Sequence, residues 1–165
     1  MRINNNINLN DFKTNNFSKE HESLKNLPKE FINFDEIGKG CWSQLRTVDM
    51  LDVKDNSFIL MEITNLKNTL YNKSKKFKIS VEIAKEFIKS EYREKLMESL
   101  LLLSLLTNNL NNKRITFKLI LYDKKEDIFA YEYLKSYLNS ILQEGDKCKI
   151  THIEDFIKYL NKQIK

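Results

Sequence analysis

Two carboxylates dominate what this chain could do chemically. Glu62 sits inside the apolar run Phe58–Ile63 (FILMEI), and Asp49 lies thirteen residues before it. A carboxylate in a strand covered on both faces loses its hydration, so it calls for a metal, an arginine or backbone donors. The turn at Lys54-Asp55-Asn56 folds the flanking segments into a hairpin. In a regular hairpin of that kind positions 49 and 62 are directly opposite, on the same face. Two like charges there repel one another unless a cation lies between them. A divalent metal meets that need, and oxygen ligands suit Mg²⁺ or Mn²⁺. The competing reading leaves Asp49 exposed near a strand end and pairs Glu62 with Arg46 or with a lysine from a helix.

The second chemical feature is basic. Lys67, Lys73, Lys75, Lys76 and Lys78 fall in one segment without an acid, and their +5 equals the formal net charge of the whole chain. Tyr71 and Phe77 stand among them. A local basic patch beside a functional site can steer polyanions towards it, which charge spread over the surface does less well. The plain alternative is a solvated loop and helix start. Other candidates are weaker. Gly38-Lys39-Gly40 lacks the spacing of a phosphate-binding loop and reads as a turn. Cys41, Cys148, His21 and His152 have no zinc-site spacing, so the cysteines read as reduced thiols. Trp42 reads as a core or hinge aromatic, and His152 as structural.

These residues need a scaffold, and 165 residues are enough for one core without a disulfide or a metal. With 3 Gly and 1 Pro, an all-β sandwich lacks its turn residues. The Asn-rich start, residues 1–16, reads as a flexible arm, and residues 17–165 as a single domain. Ser18 caps a short helix through Asn26. Phe31–Phe34 is a short strand and Asp35–Gly40 a turn. Leu45–Val53 alternates as a strand, and Ser57–Thr64 is nearly continuously apolar, hence central in its sheet. A long helix runs over Ile79–Leu106 with apolar steps of three and four, and Asn108–Asn112 ends it. Ile115–Tyr122 is a strand, Glu126–Leu142 a helix broken at Gly145, and Lys147–Ile150 a strand. Thr151 and Glu154 form a capping box for a last helix. Strand, long helix, strand implies a parallel pair with a right-handed crossover. The fold class is α/β with an α+β tendency: a mixed sheet of four to five strands with helices on both faces.

The stretch RTVDMLDVKDNSFILMEIT resembles the core motif of the PD-(D/E)XK nuclease superfamily, and the element order from Ser18 to Tyr122 matches that superfamily's restriction-endonuclease-like core. Asp49 matches the aspartate of the second strand, and Glu62 matches the acid of the third. Thr64 stands where the pattern has lysine. Glu36 matches the upstream acid that some members carry. The resemblance implies a hydrolase: Asp49, Glu62 and the backbone carbonyl of Ile63 hold Mg²⁺ or Mn²⁺ for phosphodiester hydrolysis. Lys67, or Lys75 or Lys95 from the helix, stands in for the missing lysine. Lys73, Lys75, Lys76, Lys78, Tyr71 and Phe77 hold the nucleic acid. The alternative on the same fold is a non-catalytic interaction or regulatory protein, motivated by Thr64 and by an apolar helix end at Leu100–Leu106. It docks a protein partner or a second copy of the chain.

The start MRINNNINLNDF lacks the apolar centre of a secretory signal. The longest apolar stretch, Leu96–Leu106, is interrupted by Glu98, Ser99 and Ser104, against the roughly 20 residues a spanning helix needs. The expectation is a cytoplasmic protein without membrane contact.

Overall fold

The computed structural model describes residues 7–41, 44–107 and 113–163. Trp42, the first six residues of the Asn-rich start and the run Asn108–Asn112 lie outside them. Six strands form one mixed sheet in chain order: β1 (Lys13–Thr14), β2 (Phe31–Asn33), β3 (Met50–Lys54), β4 (Ser57–Thr64), β5 (Arg114–Leu121) and β6 (Lys147–His152). β1 to β4 pair antiparallel, and β4, β5 and β6 pair parallel. Five α-helices are described: α1 (Phe34–Cys41), α2 (Leu66–Phe77), α3 (Val81–Leu106), α4 (Glu132–Ile141) and α5 (Ile153–Lys162). The class is α/β, with one strand more than the upper expectation.

β4 runs over the residues that the apolar run predicted, and β-branched and bulky side chains cover both of its faces. Phe58 and Leu60 join the core under α3 and α4, while Met61 and Ile63 join the core under α5. The two-residue turn at Asp55-Asn56 leaves Lys54 opposite Ser57, and the same register sets Met50 opposite Met61. α2 and α3 then cross over to β5, which lies parallel to β4.

Several local expectations are corrected. β3 begins at Met50, not Leu45. The preceding backbone bonds to α3 instead of a strand: Val48 N–H donates to Ser99 Oγ at 3.0 Å, and Arg46 N–H donates to the Glu98 carboxylate. Asp35–Gly40 is helix, not turn. Asn33 accepts from Glu36 N–H and donates to its carboxylate, both at 3.2 Å, which is a reciprocal cap. Gly38 serves close packing there, since a Cβ would lie 2.4 Å from Thr47 Oγ1. The basic segment is α2, capped by Asn65 and stopped at Lys78, whose left-handed φ of 52° lets Ser80 cap α3. The expected helix after Ser18 is a loop with one 3₁₀ turn, Glu22–Leu24, folded around buried Phe17, Leu24 and Leu27. Within the expected arm, residues 13 and 14 form the edge strand β1, so the ordered sheet begins earlier than residue 17. α5 is capped by His152 rather than Thr151, its Nδ1 accepting from Glu154 N–H at 3.3 Å. The expected helix over Glu126–Leu142 divides into a 3₁₀ turn, Lys125–Tyr131, and α4.

Candidate active site

Alternation along the hairpin decides which face carries the acids. Leu51 and Leu60 face each other across β3 and β4 and lie in the core under α3. Asp49 and Glu62 are two residues further along, so they share that face. Both are buried, Asp49 at 9% exposure and Glu62 at 4%. This removes the reading in which Asp49 is an idle, exposed strand end. Asp49 Oδ2 accepts a 2.7 Å hydrogen bond from Ile63 N–H, which ties the first acid to the backbone beside the second.

α3 brings the cation. Lys95 Nζ forms an ion pair with Glu62 Oε1, and its side chain is 22% exposed. One turn earlier, Tyr92 O–H donates to Thr64 Oγ1 at 2.8 Å. One turn later, Ser99 takes the Val48 N–H. The sheet-facing stripe of α3 therefore carries Tyr92, Lys95 and Ser99 among Ile88, Leu96 and Leu103, and each polar member answers a polar group on the hairpin. Glu62 Oε2 is left buried without a hydrogen-bond partner.

Electrostatics follow from this enclosure. Burial pushes the Asp49 carboxyl up to about 7, against relief from the Ile63 N–H and from Lys95, with Glu20 and Asp35 adding to the rise. Burial raises Glu62 well above the carboxylate range, and the charge of Asp49 raises it further. Burial pulls Lys95 downward, but Glu62 and Asp49 together hold it above the ordinary lysine value. Perturbed groups gathered in this way beside a cleft are characteristic of functional sites.

The cleft measures about 500 Å³ and Asp49 lines it. Asp11, Glu20, Asp35 and Glu36 line it as well, opposed by Lys13, Lys19 and Lys39. Glu36 lines the same cleft as Asp49, and its carboxylate also serves the cap of α1. Glu20, absent from the sequence reading, influences Asp49, Glu62 and Lys39 by charge. It sits in an irregular loop whose path no local pattern announces.

Other expected residues are placed elsewhere. Lys67 is not beside Glu62: its Nζ bonds Asp127 at 3.0 Å, and its N–H caps onto buried Asp123 at 2.7 Å. The ammonium that reaches Glu62 is that of Lys95. On α2, Lys73 is held by Glu91 at 2.5 Å, Lys75 stands over Tyr71, and Lys76 stands over Phe77, which stacks on Phe87. Tyr71, Phe77, Lys75, Lys76 and Lys78 are exposed on that helix and its C-cap.

Among the described residues, no three His, Cys, Asp or Glu side chains converge on one point. The metal donors would be two carboxylates, Asp49 and Glu62, with the Ile63 carbonyl. The orphaned Glu62 Oε2 and the mutual repulsion of the two acids fit a divalent cation, and Mg²⁺ commonly keeps several waters in such sites. Among the described residues, no helix is long and apolar enough to cross a membrane. Comparison with protein-family models, with curated proteins and with solved structures returns no match.

Proposed function

We propose that this chain is a metal-dependent phosphodiesterase of the nuclease type, with a PD-(D/E)XK-like site whose lysine is supplied by α3 and not by the third strand. The observation that carries this reading is the pair of buried carboxylates, Asp49 and Glu62, on one face of the hairpin, with the partly buried Lys95 of α3 against Glu62 and with Asp49 opening into the cleft. A plain structural ion pair would need only Glu62 and Lys95. The bond from Ile63 N–H needs only an acceptor, which an uncharged side chain would supply without repelling Glu62.

Asp49, Glu62 and the Ile63 carbonyl would hold Mg²⁺ or Mn²⁺. A bound divalent metal lowers the pKa of its water and offsets charge on the phosphate. Lys95 fixes the Glu62 carboxylate and places positive charge at the acids' face, where the motif's own lysine is replaced by Thr64. Thr64 is held by Tyr92 and offers no charge. Asp49 must shed its proton to act as a ligand, so activity rises with pH through about 7. The test is cleavage of single- and double-stranded DNA and RNA with Mg²⁺, Mn²⁺ or EDTA. The expected result is metal-dependent cleavage, absent in Asp49→Asn and reduced about 10²-fold or more in Lys95→Ala. Full cleavage in both variants would overturn the assignment.

A second reading, a non-catalytic protein-binding role, draws on a different surface. Met97, Leu101 and Leu105 form an outward row on α3, each about half exposed. A stoichiometric protein complex abolished by Leu101→Glu, with no cleavage under any metal, would favour it.

A further inference from the structure

The face of the sheet opposite α3 is only partly covered. α5 seals it with Ile153, Phe156 and Leu160 against Met50, Met61, Ile63 and Ile120. Towards the other end of the strands the same face is more exposed, with Thr116 and Lys118 half-buried and Lys147 and Lys149 exposed. Cys148 is buried beside Phe117 on the α3 side, so Lys147 and Lys149 point to the α5 side with Lys118. The register sets Lys118 directly against Lys149, and Thr116 against Lys147. On β3, Asp52 faces Ile59 on this surface and is shared between Lys29 at 2.6 Å and Lys54 at 3.4 Å. Asp52 is thus already occupied by Lys29 and Lys54, and Lys118, Lys147 and Lys149 share the surface on the neighbouring strands β5 and β6.

Lys118 is the most enclosed of the three lysines on β5 and β6. It is half-buried, and it takes part in none of the ion pairs among the described residues. Its Nζ lies over the rings of Phe156 and Tyr159, 5.5 and 5.8 Å from their centroids. Burial, then the charge of Lys149, holds its ammonium below the ordinary lysine value. Like charges opposed across neighbouring strands are unfavourable until an anion bridges them. Tyr159 beside them is 53% exposed. Cations in a row with an open aromatic ring suit a phosphate backbone and a stacked base better than a lipid headgroup, which offers no ring to stack.

We propose that this more exposed half of the sheet binds nucleic acid, with Lys118, Lys147 and Lys149 on the phosphate backbone and Tyr159 against a base. The proposal shares the substrate class of the phosphodiesterase reading and rests on it to that extent. Binding in EDTA keeps it separate from cleavage. The experiment is fluorescence anisotropy of labelled single-stranded and duplex oligonucleotides against the full chain across a salt series. Lys147 and Lys149 are exposed, so Lys147→Ala/Lys149→Ala is expected to fold normally, and circular dichroism checks this. The double variant should bind about tenfold more weakly at 0.1 M salt, and its salt slope should fall by about 1.4 for a single strand, ~0.7 per lost phosphate contact. Tyr159→Ala should weaken single strands more than duplex.

Unchanged affinity and slope would overturn the surface. So would loss of binding on Lys73→Ala/Lys75→Ala/Lys76→Ala in α2 instead, or binding to phosphatidylserine vesicles with none to oligonucleotides. Cleavage that ignores the sheet lysines would sink this surface and leave the catalytic reading standing. Lysine-dependent binding without cleavage would do the reverse.

Discussion

Replacing Asp49 by Asn is expected to stabilise the protein at both pH 5 and pH 8, and by more at pH 8. Folding raises the Asp49 carboxyl from 3.8 to about 7. Between those values the folded state binds more protons than the unfolded state, so this group lowers stability as pH rises through the window. At about 1.36 kcal/mol per unit, the part of the window above pH 5 corresponds to about 2–3 kcal/mol. Asn keeps an oxygen to accept the Ile63 N–H and carries no charge, so it removes the repulsion with Glu62 and keeps the hydrogen bond. The assay is urea unfolding of both proteins at pH 5 and pH 8 in EDTA. Wild type should lose about 2–3 kcal/mol more than the variant between the two pH values. Equal pH dependence, or an Asn variant less stable at pH 8, would refute the reasoning. A gain in stability on removing a charged group is what a site held under electrostatic strain for function would give.

Three further outcomes follow from the same geometry. Lys67→Ala should leave cleavage within about twofold of wild type in the nuclease assay, and its exposed bond to Asp127 should be worth no more than about 1 kcal/mol in urea unfolding. Gly38→Ala should destabilise by about 1–3 kcal/mol, because its methyl group would meet Thr47; full stability would show that α1 can shift freely. Asp123→Ala should destabilise by about 2–4 kcal/mol, since the carboxylate accepts from the N–H groups of Leu66 and Lys67 and from Tyr131 O–H. Hydrogen exchange in that variant should be fastest at the start of α2.

The parts of the fold readable in the sequence are those whose pattern is local. The apolar run of β4, the hairpin beside it and the length of α3 follow from periodicity, and with them the parallel crossover. That Asp49 and Glu62 share a face was accessible because a two-residue turn fixes the register, although the ladder itself stops at Met50 opposite Met61. What escaped depends on partners distant in sequence. α1 hides behind two glycines, because its cap and its contact with Thr47 decide it, not propensity. β1 is two residues long and exists only through pairing with β2. α2 is mostly polar, so its few apolar and aromatic positions, Leu66, Leu70, Tyr71 and Phe77, give no clear period. Lys95 was one of several lysines within reach of the site in sequence terms. Its place opposite Glu62 comes from how α3 lies across the hairpin. The sheet lysines looked like ordinary strand surface, and only the register brings Lys118 against Lys149.

The most direct test of the central claim is a calorimetric titration of Mn²⁺ into the protein at pH 8, repeated at pH 6 and with Asp49→Asn and Glu62→Gln. The account predicts one site at pH 8, weaker binding at pH 6 as Asp49 takes up its proton, and loss of the site in both variants. Binding of equal strength in wild type and both variants, or none to wild type at pH 8, would contradict it.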